Sequence, residues 1–137
     1  MSVLTPGLYD VLAGDSELTA LLTTYKGSPA VFTTHPVPGD AKAPYVVTVG
    51  EVVQVPFDTK TSRGRDLIRD VKAYAPADGS PVVVEAIIER VRVLLHRREI
   101  TIAGFEWVIS NVTGPITLDE KDFYGRAVSL GLKAQEE

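Results

Sequence analysis

The sequence predicts an α+β fold: a mostly antiparallel sheet of about four to five strands with a long hairpin, one main amphipathic helix packed on one face, and short N-terminal helices. Three observations lead there. The stretch SPVVVEAIIERVRVLLHRR, from Ser80 to Arg98, repeats Val84, Ile87, Ile88, Val91, Leu94 and Leu95 at helical spacing on one stripe. PYVVTVGEVVQVPF before it and ITIAGFEWVISNVT after it are rich in the β-branched and aromatic residues that strands favour. A helix so strongly two-sided needs an apolar surface, and strands on both sides of it in sequence supply a sheet.

Taken in order, Thr5 and Pro6 suit an N-cap and first helical residue, after which Leu8, Val11 and Leu12 make one apolar edge that stops at Gly14. Asp15 restarts a helix whose apolar residues are Leu18, Leu21 and Leu22, so residues 5–24 read as two short helices with a glycine joint. From Lys26 to Pro44 the run is punctuated by Gly27, Pro29, Pro36, Pro38, Gly39 and Pro44, and only Val31 and Phe32 can pair briefly as a strand. A connection this long in a small domain is often functional, or ordered by a neighbouring subunit.

Pro44 to Phe57 follows as a strand with a bulge expected at Gly50 and an end at Pro56. The polar stretch Asp58 to Arg65, DTKTSRGR, connects it to a second strand from Asp66 to Ala75, with Leu67, Val71, Ala73 and Ala75 on one face; together they form the long hairpin. In the main helix Ser80 is the expected N-cap and Pro81 the first helical residue, where a missing N–H costs nothing. Glu85, Glu89, Arg92 and His96 share its polar flank, and Arg97 and Arg98 lie near the C-terminal end of the helix dipole. Beyond it ITIAGFEWVISNVT reads as a strand or as a tight hairpin around Ala103 and Gly104, with Phe105, Trp107 and Ile109 alternating on one side. A last turn at Gly114-Pro115 precedes a strand from Phe123 to Ala134, whose Tyr124, Val128, Leu130 and Leu132 point one way before a frayed QEE end. No repeat or composition shift divides the chain, so residues 1–137 read as a single domain.

Composition narrows the function. With 137 residues, 45% hydrophobic and 23% charged, one globular domain can bury about 68% of its unfolded surface. A formal charge of −4 argues against a protein whose main task is gripping DNA. Cysteine is absent, which excludes disulfides and thiolate metal sites. No segment approaches the roughly 18 apolar residues of a membrane span, and MSVLTPGLYD lacks a basic segment followed by an apolar one, so export by that route is not expected.

No catalytic, cofactor-binding or metal site is expected. His35, in the proline-rich loop, and His96, at a helix end, lack metal-ligand spacing. Glu85 and Glu89 stand one turn apart as a carboxylate pair would, but Arg92 shares their flank, and an ordinary solvated or intersubunit face is the better reading. SRGRD has neither phosphate-loop spacing nor a GxGxxG run, and Ser16, Ser62, Ser80 and Ser110 lie in no GxSxG context. Asn111-Val112-Thr113 matches a glycosylation sequon without a secretory signal to give it meaning. Trp107 alternates with apolar neighbours and reads as core rather than as an interface anchor. Lys60, Arg63 and Arg65 concentrate positive charge between Asp58 and Asp66, as a solvated connection or as a docking arm for an acidic partner.

The order of these segments, with the local strings APYVVTVG, FDTKTSRG, a strand ending in Tyr74-Ala75, and a helix ending at Leu95-His96, resembles the tail-terminator or tail-completion proteins of long-tailed bacteriophages and prophages. The resemblance covers nearly the whole chain. It implies a structural virion protein without enzyme activity or cofactor: a homohexameric ring at the tail-neck junction, assembled in the bacterial host cytoplasm. Such a ring caps the tail tube, ends polymerisation of the major tail tube protein, and presents the surface that joins a head-completion or neck protein. DNA would pass its lumen without specific binding, which a negative subunit suits, since like charge repels phosphate. No membrane is involved. On this reading Lys60, Arg63 and Arg65 dock the tail tube, and Glu85, Glu89, Arg92 and His96 form an intersubunit flank. Two other classes fit the same residues: another phage neck or head-closure ring protein, and a small α+β enzyme with an intersubunit site using Glu85, Glu89, Arg92 or His96.

Overall fold

Two long strands, β6 (Gly64–Pro76) and β8 (Phe123–Glu136), lie antiparallel and pair without a register shift from Gly64↔Gln135 to Pro76↔Phe123. Around this ladder a computed structural model describes residues 4–33, 37–48, 53–56, 64–77, 79–102 and 104–136; of residues 53–56, 64–66 and 136 it describes the backbone. The remaining elements are α1 (Leu4–Ala13), α2 (Ser16–Thr19), β1 (Thr24–Tyr25), β2 (Ser28–Pro29), β3 (Val31–Phe32), β4 (Tyr45–Thr48), β5 (Val53–Pro56), α3 (Val82–Leu95) and β7 (Phe105–Thr117). The main sheet has the order β3-β4-β6-β8-β7, and β5 continues the lane of β4 by pairing with residues 65–68 of β6. All its pairs are antiparallel except β3 with β4. The expected hairpin is therefore present as a broken lane, β4 and β5, against β6; the bulge expected at Gly50 lies outside the described residues.

Because β6 and β7 both run antiparallel to β8, they run parallel to each other, and α3 is the crossover that joins them with β8 inserted between. All six residues of the apolar stripe, Val84, Ile87, Ile88, Val91, Leu94 and Leu95, are buried. They meet Leu67, Val71, Ala73 and Ala75 of β6, Val112 of β7, and Val128, Leu130, Leu132 and Ala134 of β8. Each large member of this layer contributes roughly 1.5–3 kcal/mol relative to exposure. The N-terminal helices close one end of it with Leu4, Leu8, Leu12 and Leu18. Gly7 lets α1 reach the chain after α3, since a Cβ there would fall 2.2 Å from Thr101 O.

The two-helix reading of the N-terminus holds, with α2 reduced to one turn. Asp15 is its N-cap, accepting from Leu18 N at 2.8 Å, and it also takes a two-pronged contact from Arg90 of α3, Nε and Nη2 each at 2.9 Å. The guanidinium beside it holds the Asp15 carboxyl below the usual range, against the opposing effect of its partial burial.

Several expectations are corrected. The main helix begins and ends inside the expected Ser80 to Arg98. Pro81 holds the N-cap position without a side-chain cap, and the Ser80 hydroxyl stands 3.5 Å from Val82 N. At the other end His96 is the C-cap and Arg97 turns left-handed at φ 55°, because β7 captures the helix end: Ser110 Oγ donates to Leu95 O at 2.8 Å and Arg97 N donates to Ser110 O at 2.7 Å. Ile109 does not share a side with Phe105 and Trp107. A register shift between Trp107 and Ile109 sets Trp107 opposite Ala134 but Ile109 opposite Lys133, on the other face. Trp107 itself is half-buried at the core's margin, and its buried indole N–H meets no acceptor among the described residues.

Gly114-Pro115 is not a turn but an irregularity within β7, which resumes pairing at Ile116↔Ala127; the reversal falls at residues 118–122 instead. Gln135 and Glu136 are not frayed, since both pair with β7. The connection expected to reach Arg65 is shorter, because β6 starts at Gly64. The proline-rich loop carries two short strands, β2 and β3, rather than one, with β1 just before it as the partner of β2, and it is tied down by Thr23 Oγ1 to Lys42 O at 2.6 Å and Val46 N to Ala30 O at 3.0 Å.

Candidate docking surfaces

The helix flank is the first candidate. Glu85, Glu89 and Arg92 sit on the outer side of α3. Arg92 Nε donates to both Glu89 oxygens, at 3.1 and 3.2 Å, which lowers the Glu89 pKa and raises that of Arg92. Glu85 lies 3.4 Å from Arg126 Nη2, whose other arm holds Asp119 at 2.6 Å, so Glu85 helps tie α3 to β8 and the β7–β8 turn. His96 differs from the other three: its Nδ1 accepts from Val112 N at 3.0 Å and anchors the helix end to β7. The flank is thus a row of exposed ion pairs ending in a half-buried, engaged imidazole.

Of the basic hairpin residues, Lys60 and Arg63 lie outside the described residues, as does His35 of the loop. Arg65 is described by its backbone alone, as a β6 residue opposite Pro56 on one side and Ala134 on the other.

Sequence reasoning missed the face of the sheet that no helix covers. Along β8 the residues facing away from α3 are small: Gly125, Ala127, Ser129 and Gly131. Between the ridges made by Ile68 and Ile109 on one stretch and Ile116 on the next, this floor carries two shallow adjoining hollows of about 200 and 220 Å³. Ile68 and Ile116 are among the few large apolar side chains left exposed, Ile116 at 60%. Asp70 and Ser129 join across the floor at 2.8 Å. The signal was present as the other half of the β8 alternation, small residues at every second position.

At its far end the same face carries a row of rings. Tyr25, Phe32, Tyr45 and Tyr74 follow one another with centroids 5.3, 5.7 and 5.6 Å apart, drawn from four strands. Tyr25 donates to Asp40 Oδ1 at 2.8 Å, which raises its pKa. Tyr45 and Tyr74 are raised chiefly by burial, with Glu120 nearby adding to both. Tyr74 can lie flat on β8 because its neighbour there is Gly125, where a Cβ would come within 2.9 Å of the ring. Periodicity within one segment cannot reveal such a row, since each ring belongs to a different strand.

Arg69 is the one charged side chain in the core layer itself among the described residues, 3% exposed on the helix-facing side of β6. Its guanidinium donates to Thr5 Oγ1 at 2.7 Å and lies 3.4 Å from Thr48 Oγ1, both uncharged, and burial lowers its pKa. Among the described residues no group of three or more His, Asp and Glu is placed to hold a metal ion.

The fold and these surfaces define a class: an α+β protein with one sheet face sealed by a helix and the other left open by the described residues. The sequence then places it more narrowly. The family model for tail completion protein gp17 matches residues 6–130, and the chain belongs to that family, as a structural component of a phage-type tail. Among solved structures it is similar to a chain of the "Virion of native gene transfer agent (GTA) particle", with a TM-score of 0.74 and 22% identity over 98% of this chain and 94% of that one. At that identity the likeness concerns the fold. No curated protein matches the sequence.

Proposed function

We propose that this protein caps the finished tail tube as a homohexameric ring, stops further addition of tube protein, and offers the surface to which the head's neck joins. The observation that carries the reading is membership of the tail-completion family over residues 6–130. The subunit's construction supports it. A sheet sealed on one side and open on the other presents different surfaces front and back, and a head-to-tail contact between unlike surfaces generates a closed ring when its rotation closes. The helix flank of Glu85, Glu89, Arg92 and His96 faces the neighbouring subunit, the basic residues Lys60, Arg63 and Arg65 meet the tube, and DNA crosses a lumen that does not bind it. The protein works without catalysis, at the tail-neck junction of a virion assembled in the host cytoplasm.

Negative-stain images of the purified protein, alone and with tail tubes, test the ring directly; six-fold rings at tube ends are the expected result. Replacing Lys60, Arg63 and Arg65 together with serine tests the tube contact, with a thermal melt run beside it to show that the variant is folded. Tails should then be overlong or unjoined to heads. Normal-length tails lacking only their heads in a gene deletion would instead favour a neck or head-closure role.

A further inference from the structure

We propose that the cavity beside the aromatic row, lined by Val37, Tyr45, Val47, Tyr74, Glu120 and Phe123, receives a lysine side chain from a partner protein. The site stands apart from the helix flank and the basic hairpin, and it does not depend on the protein forming a ring. Its volume, about 110 Å³, suits a short alkyl chain with one ammonium. Its walls suit the same group. Three aromatic residues, Tyr45, Tyr74 and Phe123, line it, and aromatic rings attract cations, while the apolar Val37 and Val47 suit the methylenes that carry the charge.

The carboxylate is built in. Glu120 sits on the β7–β8 turn, which is pinned by Glu120 N to Phe123 O and Leu118 N to Gly125 O, each 2.8 Å, and by Asp119 Oδ1, which accepts from Gly125 N at 3.2 Å. This places Glu120 against Tyr45 and Tyr74 without giving its carboxylate an ion-pair partner among the described residues. Of the cations around the turn, Arg126 is committed to Asp119 and Glu85, Lys72 lines the neighbouring hollow, and Lys121, exposed next to Glu120 in the chain, forms no ion pair with it. A carboxylate lining an aromatic pocket, with no ion-pair partner among the described residues, complements a cation supplied from outside. The other end of the same row is answered from within, where Lys26 Nζ lies 5.5 Å from the centre of the Tyr25 ring.

The test is a titration of the full chain with Nα-acetyl-lysine-N-methylamide, following the Tyr45 and Tyr74 ring resonances by NMR. The norleucine counterpart, which has the chain but not the ammonium, is the control. Saturable shifts with the lysine compound alone, of millimolar affinity, are expected. Glu120→Gln, an exposed turn substitution that leaves the fold intact, should weaken binding about fivefold or more. Tyr74→Leu should abolish it, and should the leucine variant fail to fold, Glu120→Gln decides alone. The proposal is overturned if no saturable shift appears up to roughly 100 mM, if norleucine binds equally, or if Glu120→Gln binds like the unaltered protein.

Discussion

Strand β8 has two sides, and they follow opposite rules. Toward α3 it presents Val128, Leu130, Leu132 and Ala134, sized to fill the space under a helix. Away from α3 it presents Gly125, Ala127, Ser129 and Gly131, sized to leave space. The first side is explained by contacts within the chain. On the second, Gly125 makes room for the Tyr74 ring, while Ala127, Ser129 and Gly131 floor hollows that this chain leaves open. The sealed face therefore answers to the stability of the chain itself, whereas the open face beyond Tyr74 is not filled by the described residues.

The largest test of that division is a charge under the helix. Ile88→Asp or Val91→Asp buries a carboxylate without a partner and should prevent folding, as judged by circular dichroism and loss of a cooperative transition. Soluble variants that melt cooperatively would show that the sealed face is misassigned. A matched pair across the sheet comes next. Leu130→Ala, on the sealed side, should cost about 2–5 kcal/mol in urea unfolding. Ile116→Ser, on the open side, should stay within about 0.5 kcal/mol. Equal costs would erase the distinction.

Arg69 sharpens the comparison from within the sealed face, where it breaks the apolar rule. A buried guanidinium that meets only hydroxyls among the described residues gains little against its desolvation, so Arg69→Met should lower stability by no more than about 1 kcal/mol or should raise it. A large loss would mean that the cation is answered by a charge beyond the described residues. The smallest effect is a pH dependence at the rim of the helix. The Asp15 pKa is depressed in the folded chain by Arg90, so its contribution is complete above the unfolded value of about 4 and is lost as pH falls through the folded value. Asp15→Ala should cost about 1 kcal/mol at neutral pH through the lost cap and should flatten this acid-side decline in melting temperature.

The sealed face was legible in the sequence because burial against one's own chain writes a period. The α3 stripe recurs every three to four residues, and the inward residues of β6 and β8 recur every two. Where the period is broken by pairing geometry, reading failed. The shift at Val108 that turns Ile109 over, and the Gly114-Pro115 irregularity that does not end β7, depend on what lies opposite in β8. Arg69 stands in phase with Leu67 and Val71, but an arginine is read by default as exposed. The short strands of the proline-rich loop form through bonds such as Ala30 N to Thr23 O and a parallel partner in β4, neither of which leaves a local pattern. Of the candidate surfaces, the α3 flank was readable from helical spacing, whereas the ring row needed the register of four strands.

The position of β8 also has a consequence for how the protein is made. Its two neighbours in the sheet, β6 and β7, both precede it in the chain, and neither can bond to the other across the gap it fills. Until β8 is in place, the chain carries two long strands with open edges and a helix whose apolar stripe lacks its middle support. Such edges recruit other strands if left exposed. Completion of the sheet is thus postponed until β8 has emerged, and this fourteen-residue strand is the one that seals the inner edges of β6 and β7.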